Sequence, residues 1–94
     1  MFVIKLSYIK PLEFIDKARP AHLEFLDKYY AQNIFIASGR QSPPVGGIII
    51  AASNDRQQIE NIIKEDPFYI QKLAEYEIIQ FTPAKFHQAI KDLI

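Results

Sequence analysis

Apolar and polar positions alternate at the start of the chain. Phe2, Ile4, Leu6 and Tyr8 fall on one side and Val3, Lys5 and Ser7 on the other, the period of a strand with one face on a core. Pro11 then suits the first turn of a helix, and Leu12–Ala18 reads as a short helical piece. Pro20 is expected to break and restart it, because the residue before a proline avoids the helical region. A longer helix then runs from Pro20 to about Gln32, with Leu23, Leu26 and Tyr30, joined by Tyr29, as its apolar stripe. After Asn33, a plausible helix stop, Ile34–Ser38 reads as a second strand ending at Gly39, and Gly47–Ala52 as a third. The turn-rich loop Arg40–Gly46 between them, with Pro43 and Pro44, makes the two a hairpin. Ser53-Asn54-Asp55 offers N-cap chemistry for a helix over Arg56–Lys64 that turns Ile59, Ile62 and Ile63 inward. Asp66-Pro67 opens a further helical turn, and Glu75–Phe81 reads as the fourth strand. Pro83–Ile94 is a C-terminal appendage with Phe86, Ala89, Ile90 and Leu93 at helical spacing.

The order β-α-β-β-α-β predicts an α+β, ferredoxin-like fold in a single domain spanning 1–94. It calls for one four-stranded antiparallel sheet, two main helices on one face and a short C-terminal helix. Ile34–Ala37 and Ile48–Ala52 are continuously apolar, which predicts burial on both faces of the sheet. The helices can cover only one, and the tail looks too short for the whole of the other. A second copy of the chain is the simplest cover, which predicts a homodimer with the sheets packed face to face.

Charge and composition narrow the partners. Eleven basic residues balance eleven acidic ones, so the basic excess of a nucleic-acid binder is missing. Cysteine is absent, which removes disulfide and thiolate chemistry and fits the cytoplasm as the expected location. The N-terminus lacks the order of a signal peptide, and no apolar run approaches the roughly 20 residues of a membrane span, so no membrane association is expected. With two histidines, no cysteine and no clustered carboxylates, neither a metal site nor a cofactor is expected.

Two short stretches carry the candidate chemistry, Arg19-Pro20-Ala21-His22-Leu23 and Asp66-Pro67-Phe68. Imidazole is the side chain whose ordinary pKa lies nearest neutrality, and a carboxylate beside it fixes its tautomer. His22 and Asp66 are therefore candidates for a catalytic acid–base pair. The plainer readings are a partly buried packing histidine and a helix cap, and one Asp66 oxygen could cap while the other meets His22. Arg19 precedes His22 by three positions and can share its helix side. It is a candidate substrate-binding residue for an anion, aided by the nearby helix N-terminus, or else a surface ion pair. Ser38 and Gly39 at a strand end, and Tyr8 at the end of the first strand, are further candidate substrate-binding residues. Tyr29, Tyr30 and Tyr69 read as core or interface aromatics, Phe68 as the anchor of its turn, His87 as solvated and Arg40-Gln41-Ser42 as a polar loop.

These stretches, the apolar first strand and Ala37-Ser38-Gly39 closing the second resemble the YciI-like (YCII-related) family of small proteins over most of the chain. The resemblance implies a ferredoxin-like fold in the dimeric α/β-barrel superfamily and a site built on His22 and Asp66. Muconolactone isomerases, small monooxygenases and haem-using proteins share that superfamily, so the fold fixes no chemistry. Many relatives carry glycine and proline where this chain has Ser38-Gly39-Arg40, and the loop Gln41–Gly46 is short. The combined expectation is a small dimeric enzyme with a His-Asp acid/base pair. It would act on a small anionic or aromatic metabolite by isomerisation, enolisation or elimination. The alternative is a non-catalytic metabolite-binding or interaction module.

Overall fold

A computed structural model describes residues 1–94. The elements are β1 (Phe2–Tyr8), α1 (Leu12–Ala31), β2 (Phe35–Arg40), β3 (Gly46–Ala51), α2 (Arg56–Ile63), α3 (Pro67–Ile70) and β4 (Ala74–Gln80), followed by a 3-10 helix over Gln88–Leu93. The four strands form one antiparallel sheet in the order β2-β3-β1-β4, with the helices on one face, as the alternation in β1 requires. Phe2, Ile4 and Leu6 are buried beneath the helices, and Ile4 sits between Ile49 of β3 and Ile78 of β4. Ile15, Ala18, Phe25, Leu26 and Tyr29 of α1 and Ile59, Ile62 and Ile63 of α2 close the core. Each large apolar side chain so buried contributes about 1.5–3 kcal/mol relative to exposure.

Two expectations change. Pro20 does not break the helix, since α1 runs unbroken through it. A proline leaves the carbonyl four residues back without its helical donor, at a cost of about 3 kcal/mol in a helix interior. Here buried Ile15 and Ala18 before Pro20 and buried Phe25 and Leu26 after it lie on one continuous stripe, and their packing outweighs that loss. The stripe itself differs from the expected one, since Phe25 joins Leu26 and Tyr29 in the core while Leu23 is 45% exposed. The expected short C-terminal helix is present, as a 3-10 helix with no buried residue. It lies at one end of the sheet, lining a hollow with Met1 and Ala52–Asn54. His87 caps this helix, its Nδ1 accepting from the Ala89 N–H at 2.9 Å.

The pairing of β2 with β3 is irregular. Phe35 faces Ala51 and Ala37 faces Ile50, so two residues of β2 pass one of β3 and Ile36 is the extra one. A one-residue insertion exchanges the faces of all that follows. Ser38 therefore lies opposite buried Ile49, and Arg40 opposite Gly47, both on the helix side of the sheet. Gly46 allows β1 and β3 to close, because a Cβ there would stand 1.8 Å from the Leu6 carbonyl oxygen. On the open face, Val3, Ile48 and Ile50 are half-buried by their neighbours, Ile79 is exposed, and Lys5, Glu75 and Glu77 supply charge. No helix is long and apolar enough to cross a membrane.

Helix α1 is tied to the turn before α3. Glu65 accepts from Lys28 Nζ at 2.7 Å and from the Tyr29 hydroxyl at 2.5 Å. The Lys28 ammonium first, and the Tyr29 hydroxyl second, hold the Glu65 carboxyl below its ordinary value. A depressed native pKa stabilises the fold above the ordinary value and ceases to do so as pH falls through the native one. Glu65→Gln is therefore expected to lower the urea midpoint near about pH 7 and to lower it less at acid pH, once the native carboxyl is protonated. Equal losses at both would show that the carboxylate charge is not what ties the turn.

Candidate active site

Asp66 caps α3, as an aspartate before a proline should. Its Oδ1 accepts the Phe68 N–H at 3.0 Å. The same oxygen meets His22 Nδ1 at 2.8 Å. Sequence reasoning allotted the cap and the histidine to different oxygens, but the turn brings both donors to Oδ1. Oδ2 is left for a third donor, the Tyr76 hydroxyl at 2.6 Å from β4. Asp66 is fully buried, and each of its oxygens is satisfied. Burial first, then the neighbouring Asp66 carboxylate, pushes the Tyr76 hydroxyl well above its ordinary pKa, so it remains a donor across the working range.

His22 occupies the third turn of α1, farther from the helix start than the sequence implied. The unbroken helix begins at Leu12, so Arg19 and His22 lie beyond the first turn, where a helix terminus favours anions. The imidazole stacks on Phe68, centroids 4.0 Å apart and planes 6° from parallel. Its side chain is 12% exposed. With Nδ1 turned to Asp66, the other ring nitrogen, Nε2, has no partner within the protein.

A cavity of about 130 Å3 opens beside this pair. Arg19, His22, Leu23 and Leu26 line it from α1, one helical face at i, i+3, i+4 and i+7. Tyr8, Ser38 and Gly39 also line it, so the candidate residues converge on one place, with Asp66 directly behind His22. Arg19 makes no hydrogen bond or ion pair within the protein, whereas the Ser38 hydroxyl is engaged with that of Tyr30 at 2.7 Å. Two residues escaped the sequence reading. Arg40, which the sequence places in a polar loop, is the last residue of β2 and lines the cavity because of the bulge. Tyr76 shares the helix side of β4 with buried Ala74 and half-buried Ile78, and that alternation was the available signal.

The model of the YCII-related domain matches residues 1–82. The chain belongs to the YCII-related family. No curated protein matches this YCII-related chain in sequence. Among solved structures it resembles 5-chloro-2-hydroxyhydroquinone dehydrochlorinase from Burkholderia phenoliruptrix, in complex with 2,5-dihydroxybenzoquinone. The TM-score is 0.72 at 16% identity, over 87% of this chain and 94% of that one, a likeness of fold. The matched family region contains every candidate residue, while the 3-10 tail lies outside it.

Removing the Tyr76 hydroxyl would leave a buried carboxylate oxygen without a donor. Tyr76→Phe is expected to destabilise the fold by about 2 kcal/mol in urea unfolding. A loss within error would mean that Oδ2 finds another donor.

Proposed function

We propose that this YCII-related protein is a single-domain, cytoplasmic acid–base enzyme that acts on a small anionic or aromatic metabolite. The observation that carries the reading is His22, pinned through Nδ1 by a buried, fully bonded carboxylate and left with a free Nε2 beside a cavity. Neutral His22 takes a proton through Nε2, either from an acidic hydroxyl or from carbon next to a carbonyl. Asp66 holds the tautomer and balances the imidazolium that forms. Negative charge developing on the substrate oxygen is met by the unpaired Arg19 guanidinium. If the proton returns to a different carbon, the outcome is isomerisation. If the electron pair instead expels a leaving group from the adjacent carbon, the outcome is elimination, and His22 passes its proton to solvent. A dehydrochlorinase of similar fold, whose substrate is a hydroxylated ring, supports the elimination arm and the aromatic class.

The test is an NMR screen of pooled hydroxylated aromatic and keto acids, following the His22 ring and the ligand signals together. A ligand that shifts His22 and is then converted is expected. With that substrate, His22→Gln and Asp66→Asn should each lower kcat by about 10²-fold or more. Unchanged turnover in both variants would end the mechanism. A ligand that shifts His22 but persists would leave a binding module.

The same reading includes a homodimer through the open sheet face, where half-buried Val3, Ile48 and Ile50 sit beside exposed Ile79. Multi-angle light scattering at micromolar concentration is expected to give twice the chain mass of 10.9 kDa. A stable monomer would remove the dimer while leaving the proton chemistry in place.

A further inference from the structure

We propose that Arg40 is a second anion-reading residue of the candidate site. With Arg19 it would select a ring-sized substrate bearing two acidic oxygens, one met from each wall of the cavity. The inference rests on the acid–base reading of the site and adds its substrate class.

The cavity lining holds two guanidinium groups and no carboxylate. Asp66 lies behind His22 and is spent on its three donors. Two fixed positive charges over low-dielectric walls concentrate anions. Arg19 comes from the helical wall and is unpaired. Arg40 comes from the strand wall, turned inward by the extra residue Ile36. Its guanidinium is held in place by two neighbours. Nη2 donates to Asp16 at 2.8 Å, Nε donates to the Tyr8 hydroxyl at 3.3 Å, and the group stands 5.7 Å from the centroid of the Tyr8 ring. Those two bonds leave the other N–H groups of the planar fork for a ligand carboxylate or phenolate, which arginine can bind bidentately. Asp16 is 58% exposed, so its hold on Arg40 is a solvent-screened surface pair that a desolvated ligand anion can outcompete.

Volume sets the rest of the class. A cavity of about 130 Å3 is close in size to the dry cavities of about 150 Å3 that take up benzene, and well below those for drug-sized ligands. Leu26, Ile49 and Phe68 give it apolar walls for a ring face. A single ring, or a chain of equal bulk, with an acidic oxygen at each side satisfies both the walls and the guanidinium groups.

The experiment titrates three probes against the His22 ring signals: 2,5-dihydroxybenzoquinone, benzoate and benzamide. Each hydroxyl of the first is conjugated to a carbonyl and behaves as a vinylogous acid, so the probe is a dianion near neutrality. Benzoate carries one charge and benzamide none. Wild type is expected to bind them in that order. Arg40→Met should weaken the dianion about tenfold or more and leave benzamide unchanged, while Arg40→Lys recovers part of the loss. The proposal is overturned if the dianion fails to bind or binds no better than benzamide. It is equally overturned if Arg40→Met leaves dianion affinity intact or weakens all three probes alike. The acid–base reading stands or falls separately, on turnover by His22→Gln.

Discussion

The candidate site depends on one buried carboxylate. An ionised carboxylate taken out of water costs several kcal/mol unless its lone pairs are filled. Asp66 recruits its donors from three places: the α3 backbone, α1 through His22 and β4 through Tyr76. The same bonds that make the charge tolerable fasten the helical layer to the sheet. They also dictate the imidazole tautomer, so fold stability and site geometry share one set of contacts.

The surrounding packing makes that arrangement stiff. Phe68, whose N–H donates to the capping carboxylate, is also the surface on which His22 stacks, and its ring meets Tyr8 edge-on at 6.1 Å. The imidazole is thus fixed in plane by a hydrogen bond and out of plane by a ring. Glu65, one residue earlier, anchors the turn to α1 through Lys28 and Tyr29, so the chain enters Asp66 already tied to the helix that carries His22.

Much of this was legible in the sequence. The alternation of Phe2, Ile4 and Leu6, the cap at Asp55 and the Asp66-Pro67 pair each encode their own geometry locally. His22 and Asp66 were readable as partners because each type has a narrow set of roles near neutrality. The failures came where a non-local term prevailed. Pro20 looked like a break because its local cost is evident, whereas the compensating burial of Ile15 and Phe25 depends on a sheet distant in sequence. Arg40 was hidden because a bulge is a property of two paired strands, and no single strand announces it. Tyr76 was visible as a position on the helix side of β4, but nothing in that strand says which buried group its hydroxyl must satisfy.

The bulge also divides the molecule's adaptability. His22, Asp66 and Tyr76 sit on α1, at the start of α3 and on β4, while the opposite wall of the cavity comes from β2, a strand bonded on one side only. An edge strand can gain or lose a residue with little disturbance to the rest of the sheet. Pairing Ile36 with Ile50, so that the bulge is lost, would withdraw Ser38 and Arg40 from the cavity and present Ala37 and Gly39 instead, leaving the histidine and its carboxylate where they are. The lining of the cavity is thus open to revision by a one-residue slip of the edge strand as well as by substitution.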